Sequence, residues 1–418
     1  MPASPQQTQA SQNQQLNSLA RMAIRSRGVR RLQNIFNQTY STPIPSQITI
    51  TPRNVGLVMG FFVKVVATVT NSSASSTLTL SDFGPANILS QLQLNDLQNN
   101  TRIQTTGFHL AMINSWKSKR AYASALTGIR GTDTGNQTTG NDFWGTDSPI
   151  GYGSNWTTIS APTSIGESTA GTVTMWYYVP LAYNPDNPQT PDFRGAIYAN
   201  VVNATWQLLL NTPGTYGSVL VAPFGTDSTQ AVFAQTSNFS VNAAITSLTI
   251  SVYQDYYDQL PTGNAGVLLP ILDLATIYEL KYTNATSISS GQDYPYQYAN
   301  FRQFLSTLAV YVNTAATGAR GVGGDINYWA LQAANFSNIW KIEPDLVALM
   351  TRQHLGLDLP PGCYLFDSRN RPISTTQYGN MELILNASTA GTGAYELVCV
   401  EDFAIVQTLS MAGSLAAS

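Results

Sequence analysis

Between Val55 and Thr70 the chain reads VGLVMGFFVKVVATVT, and every odd position from Val55 to Val69 is apolar. A period of two held this long predicts a strand with one face buried along its run, because successive side chains of a strand point to opposite sides. Such a face needs a second β layer to cover it. Further strand patterns follow at 76–81, 171–180 (GTVTMWYYVP), 204–211 (ATWQLLLN) and 245–257 (ITSLTISVYQDYY). A second series runs through 304–312 (FLSTLAVYV), 362–366, 381–386 and 394–406. Long Gly/Asn/Thr/Pro stretches separate them, notably 131–145, 183–195 and 211–229. Short strands between long turn-rich connections predict sandwiches. The body helix expected is 343–352, where Glu343-Pro344-Asp345 makes a good first turn. The stretch 266–280 (GVLLPILDLATIYEL) fits helix and strand equally.

With 418 residues the chain exceeds what one core usually serves, so two domains are expected. An internal echo agrees. Tyr177-Tyr178-Val179, Tyr198-Ala199-Asn200 and Leu208-Leu209-Leu210-Asn211 are mirrored by Tyr364-Leu365-Phe366, Tyr378-Gly379-Asn380 and Leu383-Ile384-Leu385-Asn386. Two similar β domains in tandem, dividing near Pro261, are the reading.

Charge is distributed unevenly. No Asp or Glu precedes Asp82, whereas Arg21, Arg25, Arg27, Arg30, Arg31, Arg53 and Lys64 do; the 13 remaining cations face 23 anions, so a +7 leader precedes a −10 body. Such polarity points to a protein that meets something anionic on one side only. Residues 1–15 are Gln/Asn/Ser-rich and read as disordered. From Leu16 a helical stripe of Leu16, Leu19, Ala20, Ala23 and Ile24 opposes Arg21 and Arg25; Gly28 interrupts it, and a second basic-apolar segment with Arg30 and Arg31 ends near Phe36. Pro43 and Pro45 close this arm. Charged residues are 10% of the chain, against about 25% in ordinary soluble domains. With abundant Tyr and Trp, this predicts a surface largely covered by partners.

Chemistry-bearing signals are sparse. The N-terminus has no apolar core of a signal peptide, and no run of about 18 apolar residues reads as a membrane span. The sequons Asn155-Trp-Thr and Asn238-Phe-Ser are those an Asn/Ser/Thr-rich chain produces by chance. Cys363 and Cys399 stand in strand-like settings and read as buried thiols. His109 lies in an apolar run with no second histidine near it, and His354 follows the 343–352 helix as a cationic cap. No paired-Cys motif, HExxH, GxSxG or P-loop is present, and the Gly cluster 318–324 has Ile326 where a dinucleotide fingerprint needs its third Gly. Asp255 and Asp258 would project to opposite strand faces and read as solvated or turn-capping carboxylates, as does Asp82. Trp176-Tyr177-Tyr178 and Tyr253 with Tyr256-Tyr257 read as core alternating with interface before carbohydrate platform. The expectation is no catalytic residue, no metal and no cofactor.

Eight stretches in order carry a family likeness: 51–65 (TPRNVGLVMGFFVKV), 80–89 (LSDFGPANIL), 146–153 (TDSPIGYG), 177–183 (YYVPLAY), 258–280 (DQLPTGNAGVLLPILDLATIYEL), 297–310 (QYANFRQFLSTLAV), 324–337 (GDINYWALQAANFS) and 367–380 (DSRNRPISTTQYGN). Through them the chain resembles the major capsid protein of tectiviruses, bacteriophages with a membrane inside an icosahedral shell. The likeness fades in 1–40, 131–145 and after Ala390. It implies an all-β double jelly roll, two tandem eight-stranded sandwiches with a few short helices and a basic helical arm. The domains expected are an arm at 1–46, jelly rolls at 47–260 and 261–410, and a tail at 411–418. It also implies pseudo-hexagonal homotrimers tiling facets, with vertex and minor capsid proteins as further partners, no direct genome contact, and assembly in the cytoplasm of a bacterial host. The arm, with Arg21, Arg25, Arg27, Arg30 and Arg31, would face the inner membrane, where each basic residue near anionic lipid contributes about 1 kcal/mol. The alternative is a trimeric jelly-roll spike that recognises a host glycan, but that reading leaves the basic arm unexplained.

Overall fold

The computed structural model describes residues 5–110 apart from 76, 81–87 and 108; 159–212 apart from 161–163, 184, 186–190 and 201–204; 233–235; 243–260; 276–313 apart from 283–285, 289–290 and 299–302; 326–355 apart from 334–335; and 363–368, 373–374, 380–388 and 395–406. The expected loop 131–145, the Gly cluster 318–324, Asp82, most of 266–280 and the tail lie outside these residues.

Among the described residues, sixteen strands are four residues or longer, eight in each half. The first half holds β1 (Val29–Ser41), β2 (Gln47–Ile50), β3 (Leu57–Asn71), β4 (Gln91–Asn95), β5 (Thr101–Thr105), β6 (Ala170–Pro180), β7 (Gln207–Asn211) and β8 (Ala243–Gln259). The second holds β9 (Thr276–Tyr282), β10 (Asp293–Gln297), β11 (Gln303–Asn313), β12 (Ile326–Ala333), β13 (Phe336–Ile342), β14 (Cys363–Asp367), β15 (Met381–Ala387) and β16 (Tyr395–Val406). Helix α1 (Pro5–Arg27) precedes the first set, and α2 (Pro344–Leu355) joins β13 to β14.

The first set pairs in the orders β1-β8-β3-β6 and β2-β7-β4-β5, the second in the orders β9-β16-β11-β14 and β10-β15-β12-β13. Counted from one to eight within each half, both read 1-8-3-6 and 2-7-4-5. That order is the jelly roll, so the fold is a double jelly roll. The two sandwiches share a sheet. β5 and β9 run parallel, Leu280 opposite Ile103 and Lys281 opposite Gln104, so β2-β7-β4-β5 continues into β9-β16-β11-β14.

Each sandwich is filled by the alternation of its strands. Phe61, Val63 and Val65 on β3 and Leu248, Ile250 and Val252 on β8 are all fully buried, as their period predicts. Phe61 meets the buried Trp206 at 5.4 Å between ring centroids. The second core is built on Trp329, against Tyr364 at 5.3 Å and Phe366 at 5.1 Å.

Three expectations are corrected. The Gln-rich stretch read as disordered is helical from Pro5, because Gln and Ala are good helix formers and no Gly or Pro interrupts 6–27. Residues 29–41, grouped with the arm, are the first strand of the first jelly roll, held by pairing with β8 from Val29 opposite Gln259 to Ser41 opposite Ser247. The body helix runs on to Leu355, with His354 in its last turn rather than beyond it. Cys363 and Cys399 lie on strands that flank β11 on opposite sides, opposite Val310 and Ala309. Two strand spacings of about 4.8 Å each are too wide for a disulfide.

Candidate functional site: the seat of the basic arm

The seat begins with an irregularity. Asp255 lies opposite Gly60 but Tyr256 opposite Val58, so Met59 is an extra residue on β3. Such a bulge inverts the alternation beyond it. Val58, Phe61, Val63 and Val65 face the main core, whereas Leu57 and Met59 face a separate apolar cluster with Ala182, Phe193, Ala196 and Tyr257. The single unbroken face expected from Val55 onward is thus split at Gly60. Glycine is required there, because a Cβ would stand 2.6 Å from the Val179 carbonyl oxygen.

Helix α1 occupies the separate cluster. Ile24, fully buried, packs among its members, with Ala20 buried one turn earlier. The Gly28 N–H donates to the Ile24 carbonyl at 2.8 Å and ends the helix. β1 then begins, and its arginines reach across to β8. Arg30 donates through Nε and Nη2 to the two carboxylate oxygens of Asp255 at 2.8 and 2.6 Å. Arg31 Nε lies 2.8 Å from Asp258. Earlier, Arg21 lies 3.7 Å from Asp192, which also pairs with Arg194 at 2.7 Å. Behind this, the buried Gln254 side chain accepts from the Arg53 N–H at 2.9 Å and donates to its carbonyl at 3.0 Å, fixing the chain as it enters β3.

The five arginines singled out by sequence are therefore not alike. Arg21, Arg30 and Arg31 pair with Asp192, Asp255 and Asp258, and Arg25 and Arg27 stand exposed in the last turn of α1. Leu19 and Met22 are exposed beside Arg25 on the outward face of α1. Asp255, read as solvated, is 2% exposed; its partner lies 225 residues away. Asp192 is a partner that sequence reasoning did not single out, and Asp255 and Asp258 are partners that it read as solvated or turn-capping. The available signal was that a leader without anions must take its counter-charges from the body.

The remaining candidates have structural surroundings. His109 is fully buried beside Thr106, whose hydroxyl lies 2.7 Å from Nδ1. Burial holds its pKa down to about 3. Because protonation is opposed only in the fold, stability should fall as pH drops from about 6.5 toward 3, by on the order of 1.4 kcal/mol per pH unit. Comparing urea midpoints across this range for the parent and His109→Gln should show a shallower pH dependence in the variant. Tyr177, Tyr256 and Tyr257 are buried, while Trp176 lies 5.9 Å from Tyr253 on the outer face, with Lys64 Nζ 5.4 Å from its ring. Tyr328 donates to Asp293 at 2.6 Å, and this bond, ahead of burial, pushes its pKa up to about 12. A cavity of about 230 Å³ beneath α2 has a mainly apolar lining that includes Leu331, Trp340, Val347 and Phe366. Among the described residues no cluster of metal-ligating side chains occurs, and no helix is long and apolar enough to cross a membrane.

Two jelly rolls of one strand order are thus joined edge to edge, with helix α1 packed against the first. The chain belongs to the P3 major capsid protein family, matching its N-terminal description over residues 13–260 and its C-terminal description over 275–417. It is 34% identical to major capsid protein P3 of Enterobacteria phage PRD1 over 414 residues, 98% of this chain and 97% of the relative. The likeness to tectivirus capsid proteins is thus established. In fold it is similar to the crystal structure of the STIV MCP, with a TM-score of 0.60 and 12% identity over 91% of this chain and 97% of the other. A chain from the atomic structure of Sulfolobus turreted icosahedral virus gives a TM-score of 0.60 at 13% identity, covering 94% of each. The protein is a structural capsid protein that self-assembles into the shell of a virion.

Proposed function

We propose that this chain forms pseudo-hexagonal homotrimers that tile capsid facets around an internal membrane. The observation that carries the reading is the repeated strand order: three chains supply six sandwiches of one topology, enough to approximate a hexagon. The first jelly roll is assigned to 29–260 and the second to 261–410, with residues before 29 as the arm. Vertex and minor capsid proteins would complete the shell, the genome would lie behind the lipid, and assembly would take place in the cytoplasm of a bacterial host. Electron microscopy of the purified protein at high concentration tests the shell reading: hexagonal capsomers or facet-like sheets are expected. A concentration-independent monomer would overturn it.

Helix α1 supplies the membrane contact in this reading, through Leu19, Met22 and Arg25 on its outward face, with Arg27 at its end. Arg25→Gln with Arg27→Gln should weaken binding of trimers to anionic vesicles at low salt, by about 1 kcal/mol per arginine. Because both arginines are exposed, the melting temperature should move little. Equal vesicle binding by parent and variant would remove these arginines from a membrane role.

A further inference from the structure

We infer that the cavity beneath α2 is a binding site for a small molecule with an apolar body and a neutral or cationic hydrogen-bond donor at one end. Its walls all belong to one subunit, so the trimeric reading does not bear on it.

The cavity follows from how the second sandwich ends. Among the described residues β13 and β14 are edge strands, one in each sheet, and α2 connects them. A helix about 10 Å across covers that end without the close interdigitation of two facing sheets. Trp340 of β13 stacks on Phe366 of β14 at 5.5 Å and 15°, and Phe366 also meets Trp329 at 5.1 Å. These rings bridge the two sheets and brace one wall, so the space of about 230 Å³ resists collapse.

Exposure sorts the lining into two ends. Leu331, Val347 and Met381 are buried and form the inner end. The polar atoms there are already bonded within the protein: the buried Tyr298 and Thr307 hydroxyls lie 2.9 Å apart, and the Thr351 hydroxyl donates to the Val347 carbonyl at 2.9 Å. That interior therefore offers an occupant apolar contact and offers water little. Met350 is exposed, and Asp367 and Ser368 are half-buried, so the cavity opens toward these three. An apolar pocket with a few polar groups at its mouth is the usual form of a small-molecule site.

Size and charge select the occupant. An apolar cavity of about 150 Å³ holds benzene, so this larger one takes a ring with a short arm. At the mouth, the Asp367 carboxylate only accepts hydrogen bonds, so the end of the arm must donate. An amine or a hydroxyl meets that need, whereas an acid of the same shape is repelled. An occupant also gives the inward face of α2 a partner that the protein itself does not supply.

Phenethylamine, 2-phenylethanol and 3-phenylpropionate share one body and differ in the head, and they are the probes to titrate into the full-length protein. The amine and the alcohol should bind with dissociation constants of about 1 mM or tighter, raise the melting temperature, and slow amide hydrogen exchange across α2. The carboxylate should bind at least roughly tenfold more weakly. Val347→Phe, which fills the cavity from its roof, should abolish binding of the amine and the alcohol. Asp367→Asn should keep the alcohol and close the gap between amine and carboxylate. No added protection of α2 with any probe would leave an empty packing gap and overturn the site. Binding that Val347→Phe leaves unmoved would put the probes elsewhere and overturn it too. Equal affinity for all three heads in the parent would overturn the donor requirement. If Val347→Phe fails to fold, Asp367→Asn still decides, since unchanged selectivity in that variant would overturn the placement of the head at Asp367.

Discussion

Phe61→Ala is expected to destabilise the first jelly roll by about 3–5 kcal/mol, read as a fall in the urea midpoint of the purified protein. Phe61 is fully buried on β3, which has β8 on one side and β6 on the other, and its ring meets Trp206 across the sandwich. Truncation removes the burial of the ring and leaves a void that two hydrogen-bonded neighbouring strands cannot collapse to fill. Phe61→Leu keeps most of the volume and should cost well under half as much. If the two variants melted alike, the ring would not be a packed core element.

Arg30→Met should cost about 3 kcal/mol, although the arginine itself is partly exposed, because it takes the bidentate cation away from a carboxylate held in a dry site. The double change Arg30→Met with Asp255→Leu should recover most of that loss, since apolar replacement of a buried pair is often neutral. A cycle of the two single variants and the double one measures the coupling directly. Additive losses would mean that the bidentate contact contributes nothing of its own. The pair also bears on how the arm is probed. Exchanging all five arginines for Gln would combine lost lipid contact with a weakened sheet, so Arg25 and Arg27 are the pair to change for the membrane and Arg30 the one to change for the fold.

Strands with strict alternation were legible: β3, β6, β8, β11 and β16 all stand within a few residues of their expected spans. β4 (QLQLN) and β5 (TRIQT) were not, because two apolar residues in one and one in the other are too few to separate a strand from a loop. β1 was missed for a different reason. Its period is obscured because both faces of an edge strand are largely exposed, and its arginines read as a solvated charge run. Its pairing with β8 is a tertiary fact with no local signature. The burial of Asp255 followed from the same omission, since a carboxylate is read as solvated until its partner is known. The position of the helix end was legible at Gly28, whereas its start at Pro5 was hidden by a Gln-rich composition common to helices and disordered tails.

The distance in sequence between β1 and β8 sets an order of events during synthesis. The ribosome delivers α1 and β1 first, yet the partners that seat them, from Ser247 to Gln259, emerge more than two hundred residues later. Until then β1 has no ladder to join and Ile24 has no complete cluster to enter, because Tyr257 is part of it. The first jelly roll therefore closes late, as expected where non-local pairing dominates. The arm takes up its place only once the sandwich beneath it is finished. A chain stalled before residue 259 carries an unseated basic arm, and a completed one presents it in a fixed direction.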